Sequence, residues 1–249
     1  MNRSEDVVQK LAYGISHDMG AQLRSIVQFS KLLEDHLDKQ LDDKTRYWLQ
    51  LVHQGGENAQ AMVEAMLRYS RLNADMDTAT HFSLNKLVKS VIDEHVCQWH
   101  RSPSHSLQIH CNVSTDLPDI YGLRDQWYLF FTCVLENALL YQPKAPTTHE
   151  PRIHIYSEKS ADTRQITIED NGIGVSESRM GELTRPFMRD QSGRDYPGIG
   201  MGLSYCDRIA QLHGGTLALH KSSLGGLAVT YAYQDDGEPN KLTEQLKDK

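Results

Sequence analysis

Ile166-Thr167-Ile168-Glu169-Asp170-Asn171-Gly172-Ile173-Gly174-Val175 is followed, after a polar segment, by Pro197-Gly198-Ile199-Gly200-Met201-Gly202-Leu203. Ile166 and Ile168 alternate with polar residues as a strand does, and Asp170-Asn171-Gly172 is a turn signal that stops it. Gly198, Gly200 and Gly202 then run into an apolar, helix-like segment, Leu203 to Leu212. Glycines at alternate positions before a helix let backbone N–H groups approach an anion closely, because no Cβ intervenes. The helix N-terminus beyond them adds unpaired donors and partial positive charge. The second cluster therefore suits a polyphosphate. Asp170 is a carboxylate beside the same segment, able to accept a hydrogen bond from a ligand amino group. Either box alone is a weak signal; two boxes around one polar segment are a stronger one.

The totals narrow the setting. The chain has 249 residues, 39% hydrophobic and 24% charged, the balance of an ordinary globular protein. A net charge of −7 argues against nucleic acid as a general partner. No apolar run reaches membrane-spanning length, and the most apolar stretch, Trp127 to Leu140, is interrupted by Glu136 and Asn137. The N-terminus lacks a signal-peptide pattern. Cys97, Cys111, Cys133 and Cys206 are scattered, which suits a reduced compartment, so a cytoplasmic protein without membrane attachment is expected. The run His95, Cys97, His100, His105, His110 and Cys111 fits no zinc spacing.

Ahead of the glycine boxes, residues 5 to about 38 predict one long helix, with Val8, Leu11, Ile15, Leu23, Ile26, Leu33 and Leu37 at helical spacing. A second helix is predicted over 43–73, carrying Leu49, Val52, Val63, Met66 and Tyr69, with Gly55-Gly56 in its middle as a weak point or a hinge. Two such helices make a hairpin that buries one face alone, so pairing with a second copy into a four-helix bundle is expected. On the first helix, His17 is followed by Asp18. A lone histidine is most often a surface residue, and the chain has 12 of them. A neutral imidazole is nonetheless a competent nucleophile near neutral pH, and an adjacent carboxylate can hold one ring nitrogen and free the other.

Residues 74–82 are polar and mark a linker. A helix capped by Ser83 follows, with Phe82 and Leu87 placed as a staple, ending near Trp99. Strands are predicted at 107–113 and 119–121, an apolar helix over Leu123 to Tyr141, strands at 152–158 and 163–169, a helix at 203–213, and a hairpin of strands at 216–221 and 227–234. The charged tail from Asp235 is expected to be disordered. The expected fold class is α+β: an N-terminal helical hairpin forming a dimeric four-helix bundle, then an α/β sandwich with helices on one face of the sheet.

In this order, a histidine–acid pair on a helical hairpin, an asparagine on an apolar helix, a D-x-G-x-G box and a G-x-G-x-G-L box resemble a sensor histidine kinase of two-component signalling. The resemblance covers residues 5 to 234. Leu183 to Arg189 is similar to that family's phenylalanine box, and Asp116-Leu117-Pro118 to its lead-in to the asparagine helix. The resemblance implies domains at 1–73 (dimerisation and phosphoacceptor) and 83–234 (catalytic, ATP-binding, GHKL-type). It implies His17 as phosphoacceptor and Asp18 as its activating acid. Asn137 would coordinate Mg²⁺ on the ATP phosphates, with Glu136 helping indirectly. Asp170 would receive the adenine amino group in a pocket shaped by Gly172, Gly174 and Tyr141. Gly198, Gly200, Gly202 and Leu203 would cradle phosphate, and 175–197 would be the ATP lid. The partners implied are a response regulator receiver domain and a second copy of the chain; with no sensor segment expected here, either the chain is a fragment of a longer kinase or the signal comes from a separate sensor protein acting in trans.

Departures from the family pattern are specific. Leu140 replaces a basic residue three positions after Asn137, and Cys133 replaces a second asparagine four positions before it. Lys144 or the arginines Arg185, Arg189 and Arg194 are candidate replacements for the phosphate contact. Ala21 stands where a polar residue would serve phosphatase activity, and Gln22 where a proline would bend the helix, which moves any bend to Gly20. These departures keep alternatives open: a histidine relay or scaffold without kinase activity, and a clamp-type ATPase of the same nucleotide-binding superfamily.

Overall fold

The computed structural model describes residues 3–37, 40–72, 79–101, 108–143, 150–190 and 196–235; the side chains of 3–18, 96–98 and 100–101 lie outside that description. The chain divides into two compact units, Met1–Asn73 and Ala74–Lys249.

The first unit is a pair of helices, α1 (Arg3–Leu37) and α2 (Asp43–Arg71). No proline interrupts α1, and it runs unbroken through Gly20. It ends where Gln40 N–H donates to Leu37 O at 2.7 Å. Asp42 caps α2, its carboxylate accepting from Thr45 N–H at 2.7 Å, which satisfies a donor that the first turn leaves open. The contacts run antiparallel. Ser30 Oγ meets His53 Nδ1 at 3.1 Å, and Gln50 Nε2 donates to Glu34 at 3.3 Å. The two members of the glycine pair differ. A Cβ at Gly56 would lie 2.8 Å from Val27 Cγ2, whereas one at Gly55 would meet nothing within 4 Å. Gly56 is where the two helices approach closely. Away from this seam both helices leave large apolar side chains open, including Phe29, Leu33, Trp48, Leu51, Val52 and Met66.

The second unit is a five-stranded sheet with helices against it. The strands are β1 (Thr80–Ser83), β2 (His110–Val113), β3 (Asp119–Gly122), β4 (Arg152–Ser160), β5 (Thr163–Asp170), β6 (Gly215–Lys221) and β7 (Leu227–Gln234). The main sheet has the order β2-β4-β5-β7-β6, antiparallel except for the parallel pair β2·β4; β1 and β3 make a separate antiparallel pair. The helices are α3 (Leu84–Arg101), α4 (Arg124–Leu140), α5 (Glu177–Met180) and α6 (Gly202–Leu212). Alternation sends Ile153 and Ile155 of β4, Ile166 and Ile168 of β5, and Val229 and Tyr231 of β7 into the core. Helix α4 is apolar nearly all round. It buries Trp127, Phe130, Phe131, Val134, Leu135 and Ala138, as a helix packed between a sheet and two other helices must. Trp127 packs edge-on against Tyr231, with ring centres 4.8 Å apart. Leu123 N–H donates to His213 Nε2 at 3.2 Å while His213 Nδ1 bonds Ile209 O at 2.9 Å, a pairing that requires the neutral ring; burial lowers the pKa of His213 accordingly.

Several expectations change in detail. Thr80 to Phe82, expected to close the linker, form strand β1 with Ser83, paired to β3. The strand expected at 107–113 is His110–Val113, and α3 continues past Trp99 to Arg101. The short helix α5 inside the polar segment was not expected. Residues 74–78 of the linker and 236–249 of the tail lie outside the described residues.

Candidate functional site

Three elements bring the motif residues to one cleft. Helix α4 contributes Asn137 and, at its end, Tyr141; the end of β5 contributes Asp170; and the loop entering α6 contributes Gly200, Gly202 and Leu203. Ile173, Gly174, Val175, Leu183, Met188, Arg189, Asp190 and Leu227 complete the lining of a space of about 670 Å³, open to solvent. Of the residues expected from the resemblance, Asn137, Tyr141, Asp170, Gly174, Arg189, Gly200, Gly202 and Leu203 line this cleft. His17 and Asp18 lie on α1, and their side chains are outside the described residues, as are Lys144 and Arg194 altogether.

Asp170 is held by the backbone. Its Oδ1 accepts from Gly172 N–H at 2.7 Å and from Leu227 N–H at 3.2 Å. Burial pushes its carboxyl up to about 6, against the opposing pull of these two donors, and the neighbouring Glu169 adds to the rise. Its second oxygen has no protein donor among the described residues. The turn that follows is closed from two sides. Ile173 N–H donates to Tyr141 O at 2.9 Å, and Asn171, buried, accepts from Arg152 N–H at 2.8 Å and donates to Glu150 O at 2.9 Å. Gly172 sits behind the cleft: a Cβ there would lie 2.6 Å from Tyr141 O. Gly174 has φ +66°.

On the opposite side, Gly200 has φ +76°, and a Cβ there would lie 2.7 Å from Met188 O. The phenylalanine-box segment crosses directly over it, with Phe187 itself at φ +63°, a conformation uncommon for a bulky residue. Arg189 ties this segment to the glycine loop. One guanidinium nitrogen donates to Gly198 O at 2.8 Å and the other to Tyr196 O. Tyr196 in turn donates its hydroxyl to Gln142 O at 2.7 Å and sets its ring 5.3 Å from that of Tyr141. Gly198 lies outside the lining but is joined to it through Arg189. Asn137 stands by Gly202, where a Cβ would be 3.5 Å from its Nδ2. Its side-chain amide has no protein hydrogen-bond partner among the described residues. An uncommitted amide oxygen beside a phosphate-sized loop suits Mg²⁺, which takes few protein oxygens together with substrate phosphates.

Two residues of this site were missed in the sequence. A Cβ at Gly226 would lie 2.0 Å from Asp170 Oδ1, and Gly226 N–H donates to Asp170 O at 3.1 Å. Leu227 supplies a donor to Asp170 and lines the cleft. The signal available was the pair Gly225-Gly226 between two strands, which by itself says only that a turn is there.

Residues 122–236 match the family described as "Histidine kinase-, DNA gyrase B-, and HSP90-like ATPase". Cyanobacterial phytochrome A of Nostoc sp. is 26% identical over 232 residues, covering 93% of this chain and 29% of that protein. The crystal structure of full-length ShkA in complex with AMPPNP aligns with a TM-score of 0.60 at 18% identity, over 90% of this chain and 45% of that one. The histidine kinase ThkA, crystallised with the response regulator protein TrrA, aligns with a TM-score of 0.56 at 15% identity, over 94% of this chain and 64% of that one. The chain thus spans about a third of the phytochrome, about half of ShkA and about two thirds of ThkA. The second unit has the ATPase fold of this family, and the chain as a whole resembles sensor histidine kinases. No helix among the described residues is long and apolar enough to cross a membrane.

Proposed function

We propose that this chain is an ATP-dependent protein histidine kinase that works as a homodimer, phosphorylates His17 and passes the phosphoryl group to an aspartate of a response regulator. The observation that carries this reading is the convergence of Asp170, Asn137, Gly200 and Gly202 on one cleft, in an ATPase fold that follows a helical hairpin bearing His17. Asp170, with one oxygen saturated by backbone donors, accepts the adenine amino group with the other. Tyr141 and Ile173 give that pocket an apolar wall. The loop 198–202 leads the triphosphate to the start of α6, whose N–H groups face it. Asn137 would hold Mg²⁺, which when bound neutralises charge on the phosphates. Phosphoryl transfer asks the pocket for alignment and charge neutralisation rather than covalent chemistry. His17 attacks the γ-phosphorus with one neutral ring nitrogen while Asp18 holds the other, and ADP leaves. The open apolar stripes of α1 and α2 support the homodimer, because a second copy is the simplest cover for Phe29, Trp48 and Leu51. The response regulator is an expectation from the family, as is a sensor acting in trans.

The test is incubation with γ-labelled ATP and Mg²⁺, comparing the chain with His17→Gln and Asn137→Ala. Acid-labile label present in the unaltered chain and lost in both variants is expected. Label that persists in His17→Gln would overturn the nucleophile. Neither label nor nucleotide binding would favour the relay reading, for which Cys133 and Leu140 are the sequence grounds, whereas nucleotide bound without label would mean a kinase held off until a sensor acts. Cys133 is 7% exposed, so its side chain is committed to the core more than to the cleft.

A further inference from the structure

Glu169 is a buried carboxylate for which the proposed reaction has no direct use. It is 5% exposed and lies on β5 next to Asp170, with its side chain on the opposite face of the strand. Its oxygens are taken up by the turn between β6 and β7. Ser223 N–H donates to Oε2 at 3.1 Å, Ser223 Oγ sits 3.0 Å from both carboxylate oxygens, and Ser222 Oγ donates to Oε2 at 3.4 Å. From there the turn closes on itself, Leu224 N–H donating to Ser222 Oγ at 2.9 Å and Ser222 N–H to Gly226 O at 3.0 Å. It then closes on the site: Gly226 N–H donates to Asp170 O at 3.1 Å and Leu227 N–H to Asp170 Oδ1 at 3.2 Å. A path of hydrogen bonds therefore runs from one carboxylate, through Ser222 and Gly226 of the turn, to its neighbour in sequence. A buried carboxylate is costly unless fully bonded, so this one is held where its partners are held.

We propose that Glu169 is a positioning residue for nucleobase recognition: by clamping the 222–226 turn it keeps Leu227 N–H on one oxygen of Asp170, leaving only the other oxygen to read an exocyclic amino group. This rests on the reading of Asp170 as the adenine acceptor. The charged and titratable groups around the pair are His154 of β4, whose Nδ1 is 3.5 Å from Glu169 Oε1; Tyr156 of β4, raised by burial and then by the Glu169 charge; and Arg189 and Asp190 across the cleft. Glu169 also contributes to the raised carboxyl of Asp170, after burial.

The experiment measures binding of ATP and of inosine triphosphate, which has a carbonyl in place of the amino group, to the full chain and to Glu169→Gln and Ser223→Ala. Ser223→Ala removes a turn hydroxyl without touching β5, so it remains informative if the strand variant folds poorly. The unaltered chain is expected to prefer ATP. Both variants are expected to lose about tenfold of that preference, the scale of one hydrogen bond to a charged group, with inosine triphosphate affinity unchanged. In Ser223→Ala the acid midpoint of ATP binding also moves up, because the Leu227 donor that holds the Asp170 carboxyl down is loosened; in Glu169→Gln the loss of the neighbouring negative charge offsets part of that rise. Variants that retain the full preference, or that lose both nucleotides equally, overturn the proposal. An unaltered chain that binds ATP and inosine triphosphate alike overturns the Asp170 reading beneath it, and that result is visible before any variant is made.

Discussion

The two units treat their apolar residues in opposite ways. In the second unit Trp127, Phe130, Phe131, Ile155 and Ile166 are all at most 1% exposed. In the first, Phe29 is 62% exposed and Trp48 and Leu51 are each 53% exposed. A sheet covered by three helices can close its own core, whereas two helices have only one shared seam. The difference separates a unit whose core is closed from one that leaves an apolar stripe open, the stripe that we propose a second copy covers.

The comparison can be attacked from either side. The largest effect is expected from Trp127→Ala, which empties the centre of the closed core: about 3–5 kcal/mol lost from the second unit in denaturant unfolding, with the transition of the hairpin unmoved. Equal loss in both transitions would mean that the units do not fold separately. Next, Phe29→Glu places a charge on the open stripe. It is expected to weaken self-association by on the order of tenfold or more in sedimentation while leaving helix content intact. A chain that is monomeric before the change would remove the asymmetry's proposed meaning.

Within the hairpin, Gly56→Ala must push Val27 aside and is expected to cost about 1–3 kcal/mol. Gly55→Ala, facing open space, is expected to gain about 0.5–1 kcal/mol from helix propensity. Thermal melts of the pair, with opposite signs, would show that one glycine is packing and the other is not. A separate test concerns pH. Asp170 titrates near 6 in the folded state, above its ordinary value. Its ionised form is therefore disfavoured by folding, and the second unit should gain stability as pH falls from about 6 toward 4. Nucleotide affinity should move the other way, falling below about pH 6 as the acceptor is protonated. Asp170→Asn should flatten both trends, checked by calorimetry across that range.

The helical spacing of α1 and α2, the alternation in β4, β5 and β7, and the two glycine boxes were all legible in the sequence because each is a local pattern. What was not legible depends on pairing at a distance. Strand β1 is four residues with no alternation to announce it, and it exists because Gly122, Tyr121, Ile120 and Asp119 of β3 accept it as a partner. Gly56 reads as a propensity penalty until Val27 is placed opposite. Gly226 and Leu227 lie 56 and 57 positions after Asp170, and no spacing rule connects a hairpin turn to a carboxylate so far away. Arg189 was chosen as a phosphate contact for its charge; the geometry commits it to the carbonyls of Tyr196 and Gly198. Side-chain chemistry was easier to read than who would satisfy it.

The position of β5 in the sheet has a further consequence. It is hydrogen-bonded to β4 on one side and to β7 on the other, and Asp170 is its last residue. Amide hydrogens in such a strand exchange with solvent only when the whole unit opens, while those of 177–190, bonded mainly to near neighbours in sequence, exchange through small local openings. The wall that would recognise the base therefore belongs to a slow-exchanging part of the unit, and the segment 177–190 across the cleft to a faster one. In a deuterium-labelling experiment the two sides of one cleft should keep different clocks.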